Sequence, residues 1–422
     1  MDNEFFDIST SLILQLGYGI GHILNDVCAS LWFTYFLVFF HLVLEFTASQ
    51  AGYLMLIGQV VDAVSTPFIG YHSDHTNNSV SAWYGRRKLW HLFGSACVLM
   101  SFPFIFSQCI GCSLTHKWAQ IYGFTVFSNL FVYLITWAIL HFTGQCDKEQ
   151  VGPGDAWKFK QIMLIVLSIG TLATILFHFS ITEKQARYAI AEDTQNATFH
   201  CSIFKKWLLY QVAGVYMCTR LVVNVSQVLI PLYLHRTLGL AARSLAVVPL
   251  AMYLGSLAAA GVQRLAPRSI TRKLSYFIGS AFSLCGFVWI YFDTDYNFKV
   301  YFIYIVAVLI GFGGAQMLVT SLSLTADLVG ENTQGSAFVY GLMSFTDKLS
   351  CGIAIALIQL YADQSGAMYY RYALSIVCGA ACLLGLCFTV CLPKLTHNTL
   401  IVANDGSINA SDQEVVPSGP EI

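Results

Sequence analysis

Four ionisable side chains, Asp26, Asp62, Arg220 and Lys348, stand inside otherwise apolar sequence. A charge in hydrocarbon costs ~3 kcal/mol or more, so such groups face a partner or a wet cavity. In the stretch Leu56–Asp74, Gln59, Asp62 and Thr66 recur at i, i+3 and i+7 and share one helical face. An acid there can carry a proton or ligate a cation, because burial raises its affinity for protons and a neighbouring cation lowers it. The alternative is a structural acid paired to a lysine that holds two helices together. His22 and Asp26 are one turn apart, with Asn25 beside them, and point to substrate contact or to a structural hydrogen bond. Arg220, Asn224 and Gln227 fall at i, i+4 and i+7, and a guanidinium is suited to a bidentate grip on a carboxylate. Asp26 and Arg220 across one cavity would suit a zwitterion such as an amino acid. The alternative pairs Arg220 with Asp26 or Asp62 at rest. Lys348 is a candidate for the coupling site, while Asp347 points roughly 100° away and reads as a helix–helix partner.

Lipid must surround the elements that carry these groups. Hydrophobic residues make up 56% of the 422 and charged residues 11%, and the mean hydropathy is +0.63. A soluble chain carries about twice that charge density. Apolar runs long enough to cross ~30 Å of hydrocarbon recur along the chain, so the expected class is an all-α polytopic membrane protein. The net charge of −1 argues against a nucleic-acid partner. Met1–Thr10 is acidic, so no cleavable signal peptide is expected. Among the 13 cysteines only Cys109 and Cys112 share a short loop; without a second pair nearby they do not suggest zinc. With no nucleophile–base set or metal cluster, neither an enzyme nor a cofactor is expected.

Spans are expected near 16–44, 50–72, 89–109, 119–142 and 159–180, then near 208–234, 244–262, 273–292, 299–322, 333–361 and 371–392. This gives a terminus at 1–15, an N-terminal bundle over 16–180, a polar linker over 181–207, a C-terminal bundle over 208–392 and a disordered tail over 393–422. Basic loops stay in the cytosol. That places Gly85-Arg86-Arg87-Lys88, the Arg264–Lys273 loop and the linker inside. Walking forward from the first basic loop puts Cys109–Cys112 outside. Walking back from the linker puts 144–158 outside too. One span, 119–142, cannot join two points on the same side, so a crossing is missing between about Cys112 and Ile121.

Two bundles, a basic loop after each half's second helix and a cytosolic linker resemble the major facilitator superfamily. Gly70-Tyr-His-Ser-Asp74 followed by Gly85-Arg86-Arg87-Lys88 resembles its loop signature, with a longer insert. Asp62-x-x-x-Thr66-Pro67-x-x-Gly70 resembles the D-x-x-x-D-P-x-x-G helix of the glycoside–pentoside–hexuronide cation symporters, and Ala326-Asp327 through Lys348 resembles their lysine segment. Stretches such as "GHILNDVCASLWFTY" and "VTSLSLTADL" narrow the likeness to an animal branch of the superfamily. The resemblance implies alternating-access transport of a small polar solute through a lipid bilayer, with a proton as coupling ion. It places Asp26 at a substrate-binding acid and Asp62 and Lys348 at the cation site; spacing adds Asn25, Arg220, Asn224 and Gln227 as substrate candidates and Thr66 to the coupling face. Opposite charges at helix ends can latch one conformation, which makes Asp74, Arg86, Arg87, Lys88 and Asp327 an expected cytosolic gate; the alternative is that the basic members only set topology. The animal branch implies cysteine import into lysosomes and melanosomes, with an effect on pigmentation. Two departures matter. Thr66 replaces the symporters' second acid, which disfavours a two-carboxylate sodium site. The family's fourth helix is absent where Trp118–Tyr122 runs into Gly123. A sugar symporter and a non-transporting, partner-binding isoform are the alternatives.

Overall fold

The computed structural model describes residues 2–75, 84–106, 151–180, 207–265, 271–292, 295–329 and 336–393. Within these the protein is helical, without strands. Backbone amides in lipid must be satisfied within their own segment, and long apolar runs therefore become helices. They are α1 (Asp2–Leu37), α2 (Ala48–His75), α3 (Arg86–Ile105), α4 (Ala156–Ser180), α5 (Trp207–Leu232), α6 (Ser244–Leu265), α7 (Arg272–Phe292), α8 (Ile303–Val329), α9 (Ser336–Ala362) and α10 (Tyr369–Cys391). Nine candidate spans, involving every one of these helices except α3, are long and apolar enough to cross a membrane. α3 opens on Arg86-Arg87-Lys88 and carries His91, Ser95 and Ser101, which lowers its hydropathy. The expected span 119–142, the Cys109–Cys112 loop, the linker 181–206 and the tail from 394 lie outside the described residues, so eleven spans are not reached. α1 extends back to Asp2, through residues expected to precede the first span.

The two halves repeat one another in detail. α4 packs on α1 as α10 packs on α5. α1 runs into a π-turn at Val38–Val43, and α5 into one at Tyr233–Thr237. In the first, the amides of Leu44 and Phe46 donate to the carbonyls of Phe39 and Phe40. In the second, Leu238 and Leu240 donate to Tyr233 and Leu234. Each turn is closed by a left-handed residue, Glu45 at φ 59° and Gly239 at φ 64°, as helix C-termini commonly are. The opposite ends match as well. Lys88 Nζ donates to the His178 carbonyl at 3.2 Å. Lys273 Nζ donates to Val390 O at 3.0 Å and also to Leu392 O. In each half a lysine at the start of one helix thus caps the C-terminal carbonyls of the last.

Across the halves α2 lies antiparallel against α9. A Cβ on Gly52 would come within 2.6 Å of Gln359, one on Gly352 within 2.8 Å of Gln59, and one on Gly341 within 2.9 Å of Pro67 Cα. Small residues let the two backbones approach this closely. Within the second half, a Cβ on Gly311 would overlap the Met252 carbonyl, so only glycine fits there.

Candidate functional site

The α2–α9 seam brings the lysine of one half to the acid of the other. Lys348 Nζ lies 2.6 Å from Asp62 Oδ1 and donates to Thr66 Oγ1 at 2.7 Å. The Thr66 hydroxyl donates to the Asp62 carbonyl at 2.7 Å, one helical turn back. The three residues expected at a coupling site therefore form one cluster. Both charged side chains keep limited exposure, 14% for Lys348 and 21% for Asp62. The ammonium stands where a bound cation bridging positions 62 and 66 would stand, so the protein brings a cation of its own. Trp32 of α1 closes the same region, and only a glycine at 58 leaves room for its ring, since a Cβ there would lie 2.5 Å from Cζ2.

Arg220 takes neither Asp26 nor Asp62 as its ion-pair partner. Its Nε donates to Asp347 Oδ2 at 3.0 Å, and the Asp347 side chain is fully buried. Asp347 does join two helices, α9 and α5, but it does so by holding the arginine at the centre of the site. Its other oxygen, Oδ1, is buried without a partner among the described residues, as are Asn224 Oδ1 and Gln59 Oε1. Three buried acceptors therefore remain open among the described residues, one each on α9, α5 and α2. Tyr216, one turn from Arg220, places its ring 5.9 Å from the guanidinium carbon. Asn224 Nδ2 approaches Cys351 Sγ at 3.6 Å. Sequence spacing missed Asp347 because a 100° rotation from Lys348 was read on α9 alone, without the position of α5.

Asp26 is 6% exposed. Asn25 Nδ2 donates to its Oδ1 at 3.3 Å, and Arg220 is close enough to act on it electrostatically. Gln227 reaches across the halves and donates to Thr34 Oγ1 at 3.1 Å. It joins the wall above the site rather than lying beside Arg220. Among the expected gate residues, Lys88 is buried in its own half and stacks over the Tyr84 ring at 4.8 Å. Asp327 pairs with Arg272, also within one half. Asp74, Arg86 and Arg87 lie on α2 and α3, at the ends flanking residues 76–83.

Further contacts cross between the halves at the opposite end of the molecule. Arg236 of the second π-turn donates to His41 Nε2 of the first at 2.7 Å. Asp363, just past α9, accepts from the Ala48 amide at 2.9 Å, the Ser49 amide at 3.1 Å and the Ser49 hydroxyl at 2.8 Å, capping the start of α2. Tyr35 donates to the Leu245 carbonyl at 3.4 Å. None of these residues stood out in the sequence, since each is an ordinary loop or helix-end residue until the two halves meet.

Among known proteins, the model of the Major Facilitator Superfamily matches residues 150–355, and that of MFS/sugar transport proteins matches residues 17–143. The "Major facilitator superfamily domain-containing protein 12" of Homo sapiens is 34% identical over 457 aligned positions, covering 91% of this chain and 93% of that protein. Its counterpart in Equus caballus is 35% identical over 409, covering 83% and 85%. A weaker likeness, 32% over 95 residues, joins 22% of this chain to 18% of the "Uncharacterized symporter YnaJ" of Bacillus subtilis (strain 168).

Proposed function

The chain belongs to the major facilitator superfamily, and from that membership and the buried charges we propose a secondary active transporter of a small zwitterionic solute, coupled to protons. The observation that carries the proposal is the Arg220–Asp347 pair, with Asp26 within electrostatic reach of it. Arg220 receives the solute carboxylate. Asp26 and the acceptors Asp347 Oδ1 and Asn224 Oδ1 receive its ammonium. When the carboxylate arrives, Asp347 loses a charge partner, so binding changes the charge balance next to Lys348 and Asp62. Protonation of Asp62 frees Lys348 from the seam between the halves, and the halves rock about the site.

The specific solute we propose is cysteine, entering lysosomes and melanosomes and so influencing pigmentation. This identity draws on the likeness to the domain-containing protein 12 relatives; the site itself selects a compact amino acid. The gate of Asp74, Arg86, Arg87, Lys88 and Asp327 belongs to the same proposal. In the described state its Lys88 and Asp327 are held within their own halves. A second reading, a cation-coupled sugar symporter, is favoured by the match of residues 17–143 to MFS/sugar transport proteins and by the symporter names of the bacterial relatives. A third is a non-transporting isoform. The human alignment spans more positions than the 422 residues of this chain, so that relative carries residues this chain lacks. A missing crossing before Gly123 would account for part of that surplus.

Uptake of radiolabelled cysteine and of radiolabelled melibiose into vesicles holding the full chain, under an imposed pH gradient, separates the three. Cysteine accumulation that disappears in Arg220→Gln supports the proposal. Melibiose accumulation, or no accumulation of either, overturns it.

A further inference from the structure

The two π-turns place His41 and His235 at equivalent positions of the repeat, each four residues before the left-handed residue. Among the described residues, only His41 meets a cation from the other half. His41 Nδ1 lies 2.7 Å from the Phe46 carbonyl. A carbonyl only accepts, so Nδ1 carries the hydrogen. A guanidinium only donates, so Nε2, 2.7 Å from Arg236, must be the bare nitrogen that accepts. The partners on both sides therefore fix a single protonation state, the neutral imidazole. We propose that His41 and Arg236 form a lock between the halves, at the end opposite the basic loops, which closes with His41 neutral and is released when that end is acidified.

The linkage follows from the geometry. A proton on Nε2 removes the acceptor and sets an imidazolium against a guanidinium. The locked state thus binds fewer protons than the released one, and acid favours release. Asp363, which accepts from the Ala48 and Ser49 amides and the Ser49 hydroxyl, keeps its charge and opposes release, but its pull on an imidazolium is weaker than the push of Arg236 at 2.7 Å. Asp155, on the turn 153–155 packed against the first π-turn, is paired with Lys158 at 2.7 Å. His235 adds positive charge on protonation and so acts in the same direction. Tyr370, which lies within electrostatic reach of Arg236 and Asp363, donates its hydroxyl to Gln359 Oε1 at 2.9 Å. Glu45, on the loop after the turn, is an acid that would oppose release. Among the described residues, the further contacts at this end, Tyr35 to Leu245 and Gln227 to Thr34, are neutral.

The lock does not depend on the solute proposed above, and its test does not read transport. Fluorophores introduced through unnatural amino acids at Glu45 and Arg243 flank the seam, one on each half. Their separation is measured by single-molecule energy transfer on the full chain in nanodiscs, at pH 7.5 and pH 5. One linked proton favours the separated state by up to about tenfold per pH unit, so the long-distance population rises on acidification. His41→Gln retains an amide N–H for Phe46 and an oxygen for Arg236, so it stays closed at both pH values. His41→Lys is open at both. His235→Gln keeps the acid response. An unchanged distance in the parent chain, or an acid response that survives in His41→Gln, overturns the proposal.

Discussion

Asp26 and Arg220 hold the same place in the two halves of the molecule. Phe39 and Tyr233 each accept the equivalent closing hydrogen bond of their π-turn, and an equal walk back along each helix arrives at Asp26 and Arg220. The repeat has therefore kept the backbone and inverted the charge. Near a pseudo-two-fold axis, an acid on one side and a base on the other make a site with polarity, as a zwitterion requires. His22 and Tyr216, one turn earlier in each helix, are likewise equivalent to each other.

The pair at the α2–α9 seam favours the proposed proton coupling over sodium coupling. Lys348 occupies the space between Asp62 and Thr66, and sodium entering there would have to displace a tethered ammonium with only one carboxylate to help. Uptake driven by a pH gradient is expected to be the same in sodium and in choline. Thr66→Asp adds the second carboxylate, and sodium is then expected to stimulate uptake several-fold. Equal stimulation of the parent chain by sodium would show that Lys348 leaves the site.

The Arg220–Asp347 pair is expected to dominate local stability. Asp347 is wholly buried, so removing one partner strands a charge in a dry site. Arg220→Met or Asp347→Asn alone is expected to lower unfolding stability by about 3–5 kcal/mol, because breaking a buried pair costs far more than replacing it. The double variant Arg220→Met with Asp347→Leu is expected to recover most of this while binding no solute. Thermal melts in detergent, set beside equilibrium binding of labelled solute, test both halves of the statement.

Sequence alone pointed to residues that the structure brings together but gave little of their pairing. Helical periodicity placed Asp62 and Thr66 on one face, and the structure joins both to Lys348. It could not choose a partner for Arg220, because that depends on the azimuth of α9 relative to α5, which no spacing within one helix encodes. The His41–Arg236 contact was hidden for the same reason. Each residue sits at a helix end, where polar side chains are common, and only the meeting of two distant turns gives them meaning. Loop charges predicted the ends of the helices more reliably than their contacts. Lys88 marks a basic end as expected, yet its ammonium caps its own half.

Glu45 and Gly239 provide a comparison of one backbone conformation with two side chains. Both have φ near 60°, where a Cβ costs roughly 1–2 kcal/mol. Glu45→Gly is expected to raise stability by about 0.5–1 kcal/mol, the greater freedom of glycine in the unfolded chain offsetting part of the relief. Gly239→Ala is expected to lower it by about 1 kcal/mol. Melting temperatures of the two variants, moving in opposite directions, check the equivalence of the turns. A fall in both would mean that the Glu45 side chain makes a contribution of its own at this end.

Asp363 gives the same end of the molecule a second pH response, at a lower pH than that of histidine. Burial alone would push its carboxyl up, but the amide and hydroxyl of Ser49 and the amide of Ala48 outweigh it and hold the group below the usual carboxylate range. A carboxyl lowered by folding contributes its stability above the unfolded value of about 3.9 and loses it as pH falls through the folded one. The cap on α2 is therefore intact at and below neutral pH and weakens only below about pH 4. Asp363→Asn should behave at neutral pH as the parent chain does in strong acid, with faster hydrogen exchange at the first amides of α2 and little change at its centre. Exchange measured by mass spectrometry, parent and variant at one pH, reads that difference. Exchange rising equally along the whole helix would show instead that Asp363 holds the halves together rather than one helix start.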